Sequence, residues 1–216
     1  MLDVHSHILP GVDHGAQDLT QARAMLAEAQ AQGIDTIVAT PHVYKAEFDR
    51  SIAQNAMEQL RPYARQMGIA LKLGYEFNHR AFDREEPQRA REFCIEDTNL
   101  LLLELPFDQW PRDWKNIIYD LQAHGMEVIL AHPERYVPIQ KDLRILEQLA
   151  QLDCLFQVDV PQALRLLSKQ NRVCKRLVEM DLLHYAASDA HTANDYQGFR
   201  KSIDKLGGAL QYMDWK

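Results

Sequence analysis

The stretch Leu2-Asp3-Val4-His5-Ser6-His7 is short, apolar on alternate residues, and runs straight into two histidines two positions apart. In an extended strand the side chains at i and i+2 share a face, so both imidazoles project to one side. Two neutral imidazoles aimed at one point make half a metal site; two solvated loop histidines are the bland alternative. What stands at the ends of the later apolar runs separates the two.

Residues 8–15 contain Pro10, Gly11 and Gly15 and read as a loop carrying Asp13 and His14. Asp18 then caps a helix, with Gln21 three residues on, Leu19, Ala22, Met25, Leu26 and Ala29 at helical spacing, and Gly33 as the stop. The same unit recurs. The run over 34–40 exits at Thr40-Pro41-His42, the run over 69–75 delivers Glu76, and the run over 100–103 ends in Glu104. The run over 126–130 exits at Ala131-His132-Pro133-Glu134-Arg135-Tyr136, and that over 183–187 at Ser188-Asp189-Ala190-His191. A further strand is expected over 155–160. Helices are expected over 47–67, after an Asp113 cap, around Leu143, Leu146 and Leu149, over 163–180 and over 196–206, with loop and short helix over 77–95.

Strands alternating with helices imply parallel pairing through right-handed crossovers, hence a barrel-like α/β domain. Periodicity leaves an open doubly wound sheet as the competing architecture. His5, His7, His42, Glu76, Glu104, His132, Asp189 and His191 all fall at or just beyond the C-terminal end of a run, the face where barrel enzymes keep their active sites.

With 216 residues, 46% of them hydrophobic, the chain suits one well-buried core, and residues 1–216 are read as a single domain. The balance of 24 Lys+Arg against 31 Asp+Glu argues against nucleic acid as the main partner. No 18-residue apolar run is present and no leader precedes the strand at residue 2, so direct membrane insertion is not expected and a cytoplasmic protein is. Cys94, Cys154 and Cys174 form no C-x-x-C pair and read as reduced packing residues. A cysteine-nucleophile phosphatase needs arginine six residues after its cysteine, where this chain has Leu100, Val160 and Met180.

Imidazoles and carboxylates without thiolate suit two or three ions of Mn, Zn or Fe sharing a bridging carboxylate, with exchangeable water. Such ions acidify water and clamp the attacking and leaving oxygens of a phosphoryl group. His14 joins the eight residues above as a candidate ligand. Arg135, three residues after His132, is placed over the same mouth to grip phosphate oxygens; an ion pair with Glu134 or a nearby carboxylate is the structural alternative. Asp13 reads as a turn former or as a hydrogen-bond partner of a ligand. His79, His124 and His184 are assigned no chemistry, and Lys45, Arg50, Arg80 and Arg84 are read as solvated loop charges.

His5-Ser-His7, Thr40-Pro-His42, Glu76, Glu104, His132-Pro-Glu-Arg-Tyr136 and Ser188-Asp-Ala-His191 together resemble the motif set of the PHP-domain metallophosphoesterases. In order and spacing they are most similar to the bacterial protein-tyrosine phosphatases of capsule and exopolysaccharide synthesis. The resemblance implies a distorted (β/α)7 TIM-like barrel and a site often filled by manganese. As substrate it implies the phosphorylated tyrosine-rich tail of a bacterial tyrosine kinase. It puts His5, His7, Glu76 and Asp189 on a first ion, Glu76, Glu104 and His132 on a second, and His42, His191 and His14 on a third, with Arg135, Glu76 and His42 serving the reaction. The family usually has aspartate where His14 stands, which leaves that site's metal preference open. The chain also ends soon after its last helix, so a C-terminal element of the relatives is expected to be missing or trimmed. A small-molecule phosphatase of the histidinol-phosphate type would share every ligand. A scaffold that has lost its chemistry would show degenerate ligands and a basic surface, and this chain has neither.

Overall fold

The computed structural model describes residues 1–207 and 210; the rest of the single-domain expectation, residues 208–209 and 211–216, lies outside the described residues. β1 (Leu2–Ser6), β2 (Thr36–Ala39) and β4 (Ala70–Leu73) form one parallel sheet in that order. A second parallel sheet runs in order through β3 (His42–Val43), β5 (Glu76–Asn78), β6 (Leu100–Glu104), β7 (Glu127–Ala131), β8 (Leu155–Asp159) and β9 (Tyr185–Ala187).

The runs over 34–40 and 69–75, each expected to lead its ligand out of one strand, are broken. Pro41 has no N–H to give a ladder. At Gly74 a Cβ would meet Val38 Cγ1 at 2.9 Å and Ile95 Cγ1 at 3.0 Å, so only glycine lets the chain pass that close. The step carries the chain from the first sheet into the second. His42 and Glu76 therefore open β3 and β5, directly opposite each other in register, rather than trailing β2 and β4.

The first and last strands are clasped together. Ser6 and Ala190 form a parallel bridge, Asp189 N donates to His5 O at 2.9 Å, and the buried Asp3 carboxylate accepts from Ser188 N (2.9 Å) and Ser188 Oγ (2.7 Å). On the inner faces Val4, Val38, Leu102, Ile129 and Ala187 pack into a small cluster of their own, separate from the larger core between sheets and helices.

The helices are α1 (Leu19–Ala31), α2 (Arg50–Gln66), α3 (Trp114–Ala123), α4 (Val137–Lys141), α5 (Arg144–Ala150), α6 (Lys169–Glu179) and α7 (Phe199–Leu206). Asp18 caps α1 as expected, its carboxylate accepting from Gln21 N at 2.8 Å, and Gly33 leaves it at φ +80°. Asp113 holds the N-cap position of α3 but makes no capping bond, because its carboxylate pairs with Arg84. The helix expected over 163–180 begins only at Lys169, where the Ser168 hydroxyl accepts from Asn171 N at 3.0 Å; Gln162–Leu164 is a single 3-10 turn. The cysteines form no disulfide; Cys154 and Cys174 are buried.

Candidate metal centre

β1 carries His5 and stops one residue before His7, and both rings are held by their Nδ1 atoms. Gln157 Nε2 donates to Asp159 Oδ1 at 2.9 Å, which turns Gln157 Oε1 toward His5, so His5 Nδ1 must donate to it at 3.1 Å. His7 Nδ1 donates to Asp13 Oδ2 at 2.7 Å. Both Nδ1 hydrogens thus point away from the centre and both Nε2 atoms point into it, 3.2 Å apart. Asp13 is the hydrogen-bond partner of a ligand candidate that the sequence suggested, whereas Gln157 and Asp159 were missed.

Glu76 and Asp189 complete the nest. His5 Nε2 lies 3.3 Å from Glu76 Oε2 and 3.4 Å from Asp189 Oδ1, and His7 Nε2 lies 3.3 Å and 3.1 Å from the same two oxygens. Four ligands around an ion at about 2.0–2.1 Å stand about 3.3 Å from one another in a tetrahedron. The nest therefore has the span of a metal site. Further groupings among the described residues are His42, Glu76 and Glu104, and His7, His42 and His191. His132 stands outside these sets, yet its Nε2 donates to Glu76 Oε1 at 2.8 Å, while His42 Nδ1 lies 2.8 Å from Glu76 Oε2. His14 is exposed and also outside them, stacked on His42 at 4.8 Å and 4.4 Å from the His191 ring centre.

The electrostatics fit a cation. Burial alone would lower the pKa of His5, but Glu76 and Asp189 outweigh it and hold it up at about 9; His7 is likewise raised, by Asp13, Asp189 and Glu76. Burial would raise Glu76 and Asp189, but the neighbouring histidines keep both well below the ordinary carboxylate range. Glu104, which accepts from Asn78 Nδ2, is pushed up by burial and by Glu76. His42 Nε2 and His191 Nε2 are buried with no hydrogen-bond partner among the described residues, an arrangement that costs free energy unless an ion takes the lone pairs. The residues present fit a bound divalent ion, with Glu76 shared between groupings.

Arg135 rises beside the nest. Its Nη1 donates to Asp189 Oδ2 at 2.6 Å and lies 3.3 Å from Asp159 Oδ2, and its guanidinium sits 4.6 Å over the Phe107 ring. Its partners are these two carboxylates and not Glu134. Burial would lower its pKa, but Asp159 and Asp189 push it further up, so it is cationic throughout. It lines both the cavity over the cluster, about 120 Å³, and an adjoining cavity of about 410 Å³ bounded by Gln162, Gln170 and Asp195. His124 Nδ1 bonds Asp120 O at the end of α3 and His184 Nδ1 accepts from Phe156 N, both outside the cluster. Arg50 pairs with Glu92.

The family model for capsular polysaccharide synthesis proteins CpsB/CapC matches residues 1–203. The chain belongs to the CpsB/CapC family. Among members of the CpsB/CapC family, it is 35% identical over 198 residues to the tyrosine-protein phosphatase YwqE of Bacillus subtilis, covering 88% of this chain and 77% of that protein. It is 27% identical over 205 residues to the tyrosine-protein phosphatase CpsB of Streptococcus pneumoniae, covering 88% and 83%. A crystal structure from work on YwqE and CpsB, described as unique metal-dependent tyrosine phosphatases, superposes with a TM-score of 0.83 at 29% identity, covering 98% of this chain and 89% of that one. The fold alone is shared with a β-aspartyl dipeptidase from Fervidobacterium islandicum AW-1, TM-score 0.54 at 10% identity, covering 97% and 68%. No described helix is long and apolar enough to cross a membrane.

Proposed function

We propose that this CpsB/CapC member is a metal-dependent protein-tyrosine phosphatase. It acts in the cytoplasm on the phosphorylated tyrosine-rich tail of a bacterial tyrosine kinase that controls capsule or exopolysaccharide synthesis. Its architecture is read as a distorted (β/α)7 barrel of one domain; the Ser6–Ala190 bridge between first and last strands and the small inner cluster support that reading. The observation that carries the function is the four-atom nest of His5, His7, Glu76 and Asp189, in which each histidine Nε2 lies 3.1–3.4 Å from the other three ligand atoms.

That nest, with His42, Glu104, His132, His191 and His14, would hold two or three ions, manganese by preference, and these would supply positive charge to phosphoryl oxygens and acidity to a water molecule. The protein does the rest. Asp13 and Gln157 fix the ring orientations and tautomers of His7 and His5. Glu76 is positioned by His132 at Oε1 and by His42 at Oε2, and Oε2 is also the oxygen that faces His5 and His7. Arg135 presents a permanent cation at the mouth, where it can exchange its carboxylate partners for two phosphoryl oxygens as charge builds up on them. A phenol is a far better leaving group than a serine alkoxide, which reduces the need for a dedicated general acid.

The test is a hydrolysis assay of manganese-reconstituted protein on a phosphotyrosine peptide, a phosphoserine peptide and histidinol phosphate. Preference for phosphotyrosine, lost on chelation and restored by metal, supports the reading; preference for histidinol phosphate would replace it with a small-molecule phosphatase.

A further inference from the structure

Ten side chains line the cavity over the cluster; eight are ligand candidates or Arg135, and the other two, Tyr44 and Phe107, are aromatic. Each packs against a histidine that meets Glu76. Tyr44 lies flat on His42, ring centres 4.8 Å apart and 22° between planes, and Phe107 stands 5.3 Å from the ring of His132. His42 and His132 each lie 2.8 Å from a different oxygen of that carboxylate, which sets the two aromatic rings against separate parts of the cavity wall.

Tyr44 belongs to neither core cluster, and Phe107 packs on the edge of the larger core while still lining the cavity. Tyr44 is 48% exposed and makes no hydrogen bond among the described residues; its stack on His42 holds it at the rim. Phe107 is only partly buried, packed on Tyr136 at 5.8 Å, with the Arg135 guanidinium across its face. Aromatic carbon at the mouth of a polar cavity is available to a ligand that brings its own apolar surface. The guanidinium on Phe107 also ties the phosphate grip to that wall.

We propose that Tyr44 and Phe107 are the two walls of an aryl subsite, through which the protein selects phosphate monoesters of phenols over those of alkyl alcohols by shape and stacking. This rests on the phosphatase reading above and deepens it. Aromatic rings gain from offset or edge contact beyond simple burial, and an alkyl chain between the same walls forgoes that gain. Selection by the walls is separate from the intrinsic reactivity of an aryl ester, which any phosphatase would feel.

The experiment removes leaving-group chemistry from the comparison. The ratio of kcat/KM for phenyl phosphate to that for the phosphate of a fluorinated alkyl alcohol of similar acidity is measured for the parent, Tyr44→Ala, Phe107→Leu and the double variant. The ratio is expected to fall about threefold in each single variant and about tenfold in the double. Calorimetry with the non-hydrolysable phenylphosphonate and methylphosphonate gives a second readout: the parent prefers the former and the double variant loses that preference. A ratio unchanged within twofold in the double variant, with its circular dichroism intact, overturns the subsite, as does a parent with no preference between the phosphonates. A parent that hydrolyses neither ester but still prefers phenylphosphonate overturns the phosphatase reading and leaves the subsite standing.

Discussion

Replacing Gln157 by leucine tests how much of the centre depends on a residue that is no ligand. Gln157 is fully buried on β8 and makes three hydrogen bonds: it accepts from His5 Nδ1 at 3.1 Å and from His132 N at 3.4 Å, and donates to Asp159 Oδ1 at 2.9 Å. Leucine fills nearly the same volume, so no cavity term enters, but three buried polar groups lose their partner. Each unmatched group costs roughly 1–3 kcal/mol, and with the 3.4 Å bond counted at the low end the sum is about 4 kcal/mol. That is a large part of a typical stability of about 5–15 kcal/mol, and it still leaves a folded protein at low temperature. His5 also loses the bond that fixes its tautomer, and loss of such a partner typically weakens metal affinity by about 10–100-fold. Urea unfolding in the presence of chelator reads the first effect and metal titration of the folded variant reads the second. A midpoint shift worth under about 1 kcal/mol, with metal affinity equal to the parent's, would refute the role given to Gln157.

Arg135→Ala is expected to keep the parent's metal content and lose about 2–4 kcal/mol of transition-state stabilisation on a phosphotyrosine peptide, by analogy with a lost oxyanion donor; elemental analysis and kcat/KM together check it. Glu76→Ala should lower metal content as well as turnover, because one carboxylate serves two groupings, and a variant with parental metal content would remove it from that position. Thiol alkylation should leave activity intact: burial pushes Cys154 and Cys174 up to about 12 and Cys94 to about 11, and none of the three lines the cavity over the cluster. Loss of activity in proportion to iodoacetamide incorporation under native conditions would contradict this.

Elements marked by local chemistry were legible in the sequence. The Asp18 cap of α1, the glycine stop at Gly33, and the uninterrupted apolar run of β6 are each specified within a few residues, and the structure repeats them. The breaks after Ala39 and Leu73 were half legible: Pro41 and Gly74 mark them locally, but neither residue says that the chain resumes in another sheet. The neighbours it resumes against, β6 for β5 and β5 for β3, lie far away in sequence. The late start of α6 has a local signal that was outweighed: Ser168 is a good cap, but Ala163 and Leu164 continue the helical spacing before it, and a 3-10 turn instead buries Ala163 and half-buries Leu164.

The site divides along the same line. His5, His7, His132, Asp189 and His191 announce themselves because a strand exit is where an apolar run becomes polar, whereas Gln157 and Asp159 stand inside the run of β8 and were read as part of a strand. Alternation could have found them. Leu155, Gln157 and Asp159 share one face, as do Leu100, Leu102 and Glu104 on β6; each inner face turns from apolar to polar toward its C-terminal end. A buried polar side chain persists only if it is paired, so the inner residues of the last turn of each strand had to be bonding one another or a ligand. Gln157 does the former, joining His5 and Asp159, and through Asp159 the centre reaches Arg135. The hydrogen-bond chain from His5 to the arginine at the mouth is thus a consequence of placing polar residues on the inner face, and it makes the orientation of a ligand and that of the phosphate grip one coupled property.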